Sequence, residues 1–249
     1  MKRVKLVVAY DGTNYCGWQV QKNGETIESV LNRAIGELTG EEIHVMGSSR
    51  TDAGVHACGN VAVFDTEARL AADKFSYALN QRLPEDIRIQ DSCEVPADFH
   101  PRFQKTVKTY EYRILNREFP LPAYRFNSHF TYRKLDVERM RQAAAYLIGE
   151  HDFQSFCAAG AQVKTTVRTI YALDVEKQGD LIILRITGNG FLYNMVRIIA
   201  GTLMKIGQGD WEPERIPEIL AGCDRQLAGP TAPARGLTLM EIHFKGEKG

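Results

Sequence analysis

Residues 27–38 read Ile-Glu-Ser-Val-Leu-Asn-Arg-Ala-Ile-Gly-Glu-Leu, and their apolar members recur every three or four positions. This spacing places the apolar side chains on one face of an α-helix. Gly40 follows at the point where such a helix should stop, because glycine readily adopts the left-handed conformation that closes a helix. The sequence therefore predicts an amphipathic helix that ends near Gly40.

Strand-like segments lie on both sides of this helix. Residues 3–10 are rich in valine and precede the turn-forming triplet at 11–13. After the helix, the pattern predicts strands at 43–46 and 61–64, a helix at 74–83 that Pro84 stops, and a strand at 87–95. The first part of the chain is thus predicted to have the order β-α-β-β-α-β.

The second part of the chain repeats this order less clearly. It predicts a strand at 107–115, a helix from the N-cap Asp136 through Leu147, strands at 169–175 and 181–187, a helix at 193–206, an additional helix at 213–220 and a strand at 239–244. We therefore expect an α+β fold of two ferredoxin-like, split β-α-β halves, residues 1–103 and 104–249. Their antiparallel or mixed sheets are expected to adjoin around a central cleft.

Composition excludes several classes of protein. The chain has 249 residues, of which 44% are hydrophobic and 25% charged, unlike disordered or fibrous proteins. No apolar run approaches the roughly 20 residues that span a bilayer, and the first residues lack the apolar core of a signal peptide. We therefore expect a cytoplasmic protein without a membrane segment.

Metal and cofactor motifs are missing from the sequence. The five cysteines have no C-x-x-C pair, so we expect reduced and mostly buried thiols, and the six histidines lack metal-ligand spacing. There is no Gly-x-Ser-x-Gly elbow, no G-x-x-x-x-G-K phosphate loop and no complete dinucleotide fingerprint. We therefore expect neither a metal nor a cofactor.

Basic residues cluster locally although the chain as a whole is neutral, with 31 basic and 31 acidic residues. Between His100 and Arg117, aromatic residues alternate with the cations Arg102, Lys105, Lys108, Arg113 and Arg117. Cations beside aromatic rings suit a chain of phosphates and unstacked bases. The other interpretation of this stretch is a solvated strand face.

Small, polar and charged residues crowd together in residues 48–57, between two apolar strands. Gly54 allows backbone angles that other residues avoid, and small neighbours leave room beside Asp52. The residues alone leave two interpretations open. The loop either presents the Asp52 carboxylate to a substrate, or it is a tight turn in which Asp52 caps backbone amides.

The segment Arg50–His56, Arg-Thr-Asp-Ala-Gly-Val-His, resembles the signature of the tRNA pseudouridine synthase A family, in which the aspartate is the catalytic nucleophile. Three further blocks agree in the family's order: Tyr10–Gly12 with Tyr15–Gln19, then Lys108–Tyr112, then Phe191–Arg197. The resemblance runs from about residue 4 to residue 244. The chain departs from it at Ser49, where many members carry glycine.

The resemblance implies an isomerase that turns uridine in RNA into pseudouridine without a cofactor. The family reaction breaks the base–ribose bond, rotates the base and rejoins it through carbon 5. Asp52 would then attack the ribose C1′ or the base C6, or remove a ribose proton, and the sequence leaves these routes open. The implied substrate is the anticodon arm of tRNA at positions 38 to 40, bound by a homodimer.

Five other residues have expected roles: Arg197, Tyr110, Arg50 and Lys108 lie in the matched blocks, whereas Arg168 is grouped with the basic stretch from Arg102 to Arg117 as a predicted phosphate track. Arg197 lies among apolar residues, so we expect it to pair with a carboxylate, which we take to be Asp52; alternatively, it points to solvent. Tyr110 is expected to stack on the target base and is a candidate to take the proton from its carbon 5. Arg50, Lys108 and Arg168 are expected to bind RNA, Arg50 beside the extracted nucleotide.

Two rival functions come from other classes. A non-catalytic RNA-binding protein with ferredoxin-like halves would not need the Asp52 loop, and the aromatic signature of such proteins is missing. A phosphotransferase or hydrolase with an aspartyl nucleophile would require Mg²⁺ and more acidic ligands. The immediate neighbours of Asp52 are instead Arg50, Thr51 and small residues.

Overall fold

A computed structural model describes residues 1–160 and 163–244 of the chain. Backbone contacts group the chain into two compact units. Unit 1 comprises Met1–Lys105 together with the last strand from Leu239, and unit 2 comprises Thr106–Thr238. The predicted division, between residues 103 and 104, had left the last strand in the second half.

Unit 1 has the predicted order β-α-β-β-α-β. Its elements are β1 (Lys2–Tyr10), α1 (Ile27–Thr39), β2 (Met46–Gly47), β3 (His56–Thr66), α2 (Phe75–Asn80) and β4 (Ile87–Val95). Strand β1 is central and runs antiparallel to both β3 and β4, while the short β2 pairs with β3. Alternate residues of β1 are buried, as expected for a strand with one face against helices.

Local sequence signals fix helix α1. Thr26 and Ser29 form a reciprocal capping box at its start, and Gly40 ends it with a φ of 75°. Its buried residues are Ile27, Val30, Leu31, Ala34 and Ile35. Each large aliphatic side chain buried here contributes about 1.5–3 kcal/mol. The prediction of an amphipathic helix ending near Gly40 is confirmed.

Unit 2 is built on a second, largely antiparallel set of strands. Its elements are β5 (Thr106–Asn116), β6 (His129–Thr131), α3 (Val137–Ala145), β7 (Gly149–Asp152), β8 (Val167–Gln178), β9 (Leu181–Gly188), α4 (Met195–Gly207) and α5 (Arg215–Gly222). The strand order is β5-β9-β8-β7, all antiparallel, with β6 parallel to β5. The N-cap role of Asp136 is confirmed, because its side chain accepts the N–H groups of Glu138 and Arg139.

The last strand, β10 (Leu237–Phe244), belongs from Leu239 onward to unit 1, where it lies next to β3. Its approach is close, because a Cβ at Gly59 of β3 would lie 2.8 Å from the carbonyl oxygen of Met240. Phe244 packs edge-on against Phe99, with ring centroids 5.2 Å apart. The N-terminal sheet is therefore completed by residues from far along the chain.

Some predicted elements were wrong. The strand expected at 43–46 is reduced to the two residues of β2, because the N–H of Val45 donates to the side chain of Asn32 on α1 rather than to a strand. The helix expected at 74–83 ends at Asn80, whose side chain pairs with the backbone of Ile89. Strands β6 and β7 were missed because three and four residues are too few to establish the alternation that predicts a strand.

The α+β class with mixed strand pairing is confirmed, whereas the expectation of mostly buried cysteines is wrong. Cys58 is exposed and the other four cysteines are partly exposed. Within residues 1–160 and 163–244, no helix combines the length and apolar character that crossing a bilayer requires.

Candidate active site

The loop that carries Asp52 connects β2 to β3 in unit 1. Its turn is closed by the N–H of Val55, which donates to the carbonyl oxygen of Asp52 at 3.1 Å. Gly54 has a φ of 76°, in the left-handed region that favours glycine. The Asp52 side chain is partly exposed and Arg50 is exposed. Both side chains are therefore accessible to a ligand that binds at this loop.

A buried polar network holds the base of this loop. The hydroxyl of Tyr10 lies 2.7 Å from the Thr51 hydroxyl and accepts the side-chain amide of Asn60 at 3.3 Å. Asn60 also bonds to both the N–H and the carbonyl of Ser49. Buried polar groups are costly unless they are hydrogen-bonded, so these partners fix one another. The backbone on the N-terminal side of Asp52 is thereby tied to β1 and β3.

The segment around Gly17 supports the other side of the loop. The N–H of Trp18 donates to the carbonyl of Thr51 at 3.0 Å, and the N–H of Gly54 donates to the carbonyl of Tyr15 at 3.3 Å. Gly17 has a φ of 89°, and a Cβ there would lie 2.6 Å from the carbonyl oxygen of Thr51. Only glycine allows this approach. Trp18 is fully buried.

His56 shapes the end of the loop. Its Nδ1 accepts the N–H of Gly12 at 3.1 Å, which places the proton of the neutral ring on Nε2. An oxygen of Asp11 is equally close to Nδ1, at 3.1 Å. Burial acts to raise the pKa of Asp11, but bonds from Thr13 and the nearby His56 outweigh it and leave that pKa lowered. His56 is thus a packing and hydrogen-bonding residue.

A second arginine lies near Arg50. The Nε of Arg102 donates to the carbonyl of Gly47 at 2.9 Å, and the neighbouring Pro101 carbonyl accepts the Ser48 hydroxyl at 3.0 Å. Burial and the positive charge of Arg50 together lower the pKa of Arg102. Two cations are therefore held close together beside the Asp52 loop. Such an arrangement favours a ligand with negative charge.

In unit 2, Tyr110 lies on β5 and is largely buried. It pairs with Ile186 on β9 and packs edge-on against Phe191, with ring centroids 5.2 Å apart. Tyr112, two residues along the same strand, is fully buried and donates its hydroxyl to the carbonyl of Pro233 at 2.9 Å. The two tyrosines share a face of the strand, but the hydroxyl of Tyr112 is engaged in a structural hydrogen bond to Pro233.

Arg197 lies in the first turn of α4, where its neighbours are apolar and buried. Its Nε donates to the carbonyl of Ala232 at 2.7 Å, and its Nη1 donates to the side chain of Asn194 at 2.8 Å. The side chain is partly exposed rather than free in solvent. The guanidinium is thus fixed by two neutral acceptors of its own unit.

The loop from Gly188 to Phe191 brings the other predicted residues of unit 2 together. Lys108 pairs with Gly188 across β5 and β9, and the side chain of Arg168 lies 3.8 Å from where a Cβ of Gly190 would be. Burial lowers the pKa of Arg168. Lys108, Tyr110 and Arg168 therefore lie beside one short segment, Gly188–Phe191, a few residues before α4.

The basic stretch between His100 and Arg117 is divided by strand geometry. Glu111 is buried and forms ion pairs with Arg113 at 3.1 Å and with Arg185 at 3.0 Å. Arg117 pairs with Asp180 at 3.3 Å. Because neighbouring residues of a strand point to opposite faces, Glu111 and Arg113 lie on the face opposite Tyr110. For Arg113 and Arg117, the structure favours the alternative of a strand face with ion pairs.

Sequence reasoning missed Asn60 and Asn194, whose side chains bond to Ser49 before the Asp52 loop and to Arg197, respectively. Asn60 had a usable signal, because it is the only amide side chain in residues 56–66 and comes just before the apolar run 61–64. Asn194 had none, since its role depends on a backbone conformation. Among the described residues, no three histidine, cysteine, aspartate or glutamate side chains are grouped as metal ligands would be.

Comparison with known proteins identifies relatives over nearly the full length. A family profile described as tRNA pseudouridine synthase matches residues 6–104 and 143–245. The chain is 48%, 49% and 51% identical to proteins named tRNA pseudouridine synthase A from Acetivibrio thermocellus, Ruminiclostridium cellulolyticum and Brevibacillus brevis, respectively. Each match covers 98% of this chain and 100% of the relative. The resemblance noted in the sequence is thereby confirmed.

Proposed function

Because this chain belongs to the tRNA pseudouridine synthase family and is therefore an isomerase, we propose that it converts uridine to pseudouridine in the anticodon stem-loop of tRNA, at positions 38 to 40, with Asp52 as the nucleophile. The observation that carries this proposal is the Asp52 loop. It has the signature residues of the family, and buried hydrogen bonds from Tyr10, Asn60 and Trp18 fix its backbone.

Asp52 acts as an ionised carboxylate in this proposal. Attack on C1′ or C6, or removal of a ribose proton, each requires a free electron pair on a carboxylate oxygen. No group is added to or lost from the RNA, so the reaction needs no external reactant. The supporting observation is that the Asp52 side chain is partly exposed on a loop whose ends are immobilised.

Arg197 is the proposed electrostatic partner of Asp52. Its positive charge is held at the start of α4, where the Ala232 carbonyl accepts from Nε and the Asn194 side-chain oxygen accepts from Nη1. A cation near a carboxylate favours the ionised form that the reaction needs. We therefore expect Arg197→Leu to nearly abolish turnover, and full turnover would discard the pairing.

Tyr110 is proposed to stack on the target base and to take the proton from its carbon 5. Its ring is oriented by the edge-on contact with Phe191, which leads into the helix that bears Arg197. A planar ring held in this way suits stacking on an unpaired base. The uridine must leave its helical stack to reach such a group, so base flipping is part of the proposal.

RNA binding is assigned to Arg50, Lys108 and Arg168, with Arg102 close to Arg50. Arg50 and Arg102 are two close cations beside the Asp52 loop, and Arg168 borders the loop next to Tyr110. Phosphates flanking the flipped nucleotide are the chemical match for these groups. We further propose that the enzyme is cytoplasmic and acts as a homodimer on its tRNA.

Tritium release from tRNA labelled at uridine C5 tests this function, with EDTA present throughout. Wild-type protein should release tritium in a manner that requires no added metal, while Asp52→Ala and the nearly isosteric Asp52→Asn should release none. Mapping the pseudouridines formed would report whether they lie at positions 38 to 40. Release by Asp52→Asn at the wild-type rate would discard Asp52 as the nucleophile.

A further inference from the structure

Asn194 has an unusual backbone conformation. Its φ is 59° and its ψ is 8°, and among the described residues only Cys223 is another non-glycine residue with a positive φ. This left-handed region is unfavourable for residues with a Cβ, although asparagine tolerates it better than most. Backbone strain that persists requires support from the surrounding structure, and it is concentrated at functional sites.

The side chain of Asn194 forgoes its usual role at this position. Asn194 is the N-cap of α4, where an asparagine normally accepts a backbone N–H of the first helical turn. No such bond is present here, and its Oδ1 instead accepts the Nη1 of Arg197 at 2.8 Å. The capping side chain is thus directed to the guanidinium rather than to the helix.

The opposite side of the same guanidinium is held by the backbone. The Nε of Arg197 donates to the carbonyl of Ala232 at 2.7 Å, and the N–H of Ala232 donates back to the carbonyl of Arg197 at 3.0 Å. The segment before Ala232 packs very tightly on α4, because a Cβ at Gly201 would lie 1.8 Å from the carbonyl oxygen of Pro230. This acceptor therefore cannot shift independently of the helix.

We propose that Asn194 is a positioning residue, which holds the Arg197 guanidinium in the orientation that the reaction requires. This proposal rests on the function proposed above, in which Arg197 supports the ionised Asp52. With Nε and Nη1 each bonded to a fixed neutral oxygen, rotation about the last side-chain bonds is prevented. A neutral amide suits this task, because it orients the cation without neutralising it.

Asn194→Gly is the decisive variant, because glycine keeps the left-handed conformation and removes only the side chain. We expect kcat to fall about tenfold to a hundredfold, as for loss of a hydrogen bond to a charged group, with the KM for tRNA changed less than about twofold. The acidic limb of the pH–rate profile should move to higher pH, since a carboxylate with a less well placed cation is protonated more easily. The melting temperature should not fall.

Cys223→Gly is the matched control, because Cys223 also has a positive φ, of 48°, at the end of α5. It should relieve the same kind of strain without changing kcat or the pH profile. Wild-type kcat and pH profile in Asn194→Gly would overturn the proposal. A lower kcat with a lower melting temperature and an unmoved pH profile would also overturn it, because it would assign Asn194 a structural role only.

The same assays separate this inference from the proposed function. If wild-type protein releases no tritium, or if Asp52→Ala releases it normally, the proposed function itself fails. If Asp52→Ala is inactive while Asn194→Gly matches wild type in rate and pH profile, only the role of Asn194 fails.

Discussion

The side-chain oxygens of Tyr10 and Thr51 lie 2.7 Å apart in the buried interior of unit 1, which joins the end of β1 to the residue before Asp52. Tyr10→Phe removes this bond and the acceptor of the Asn60 amide. We expect the free energy of unfolding to fall by about 1–3 kcal/mol, as for unsatisfied buried polar groups, and kcat to fall with it. Urea denaturation and tritium release measure both effects.

Tyr77→Phe serves as the control for that variant, because Tyr77 is 70% exposed. It should change neither stability nor rate. If Tyr10→Phe were equally silent, the hydrogen-bond network would have no part in holding the loop.

Gly17→Ala should displace the Asp52 loop. Its Cβ would lie 2.6 Å from the carbonyl oxygen of Thr51, so the backbone must move. Gly40→Ala has a similar φ of 75° but nothing within 4 Å of its Cβ. Both variants should lose about 1–2 kcal/mol of stability from backbone strain. Only Gly17→Ala should also lower kcat, by about tenfold or more, because it would misplace a catalytic group. Equal rates in the two variants would contradict this explanation.

Tyr110→Phe separates stacking from proton transfer. Loss of a proton acceptor should slow tritium release by about 10²–10⁴-fold and leave stability nearly unchanged. Tyr112→Phe is the control, because burial raises the pKa of Tyr112 and its hydroxyl donates to the carbonyl of Pro233. That control should lose about 1 kcal/mol of stability and keep its rate within a few-fold. A wild-type rate in Tyr110→Phe would exclude proton transfer and leave stacking.

Arg50→Gln should weaken tRNA binding in a salt-dependent manner. If Arg50 contacts one phosphate, its loss should reduce the slope of log affinity against log salt by about 1. Arg117→Gln is the control, because Arg117 is already paired with Asp180 at 3.3 Å. Binding titrations at several salt concentrations measure both slopes. An unchanged slope in Arg50→Gln would contradict the phosphate contact.

Asp210 should make stability depend on pH at the acidic end. Hydrogen bonds from Arg133 and Lys205 lower its pKa to about 2. A lowered pKa in the folded state means that the stabilisation is present above the ordinary pKa near 3.8 and is lost as pH falls toward 2. Asp210→Asn should therefore be less stable than wild type in urea at pH 7, with a gap that narrows between pH 4 and about 2. A gap independent of pH would contradict this linkage.

Predictions from sequence succeeded where the deciding interactions are local. The periodicity from Ile27, the glycine at position 40 and the cap at Asp136 each act within a few residues, and each was confirmed. The strand expected around Val45 failed because its N–H bonds to Asn32, thirteen residues away. A short pattern cannot show that competition.

For the candidate site, the sequence was informative only where the residues concerned are contiguous. Contiguous signature residues identified the segment of Asp52 and, through the family, the candidates Tyr110 and Arg197. The charge pattern predicted that Arg113 and Arg117 belong to an RNA-binding stretch. Their ion pairs with Glu111 and Asp180 form only through the strand register and a hairpin, which the charge pattern does not show. The left-handed backbone of Asn194 likewise follows from tertiary packing and has no signature in a single sequence.

The position of β10 has a consequence for how the protein is made. A ribosome that has released only residues 1–105 has produced β3 without the strand that lies beside it from Leu239 onward. Until then, the backbone N–H and C=O groups along that edge can pair with other extended chains. The half that bears the nucleophile candidate therefore matures last although it is synthesised first, so slow translation of the intervening residues should increase the need for chaperones.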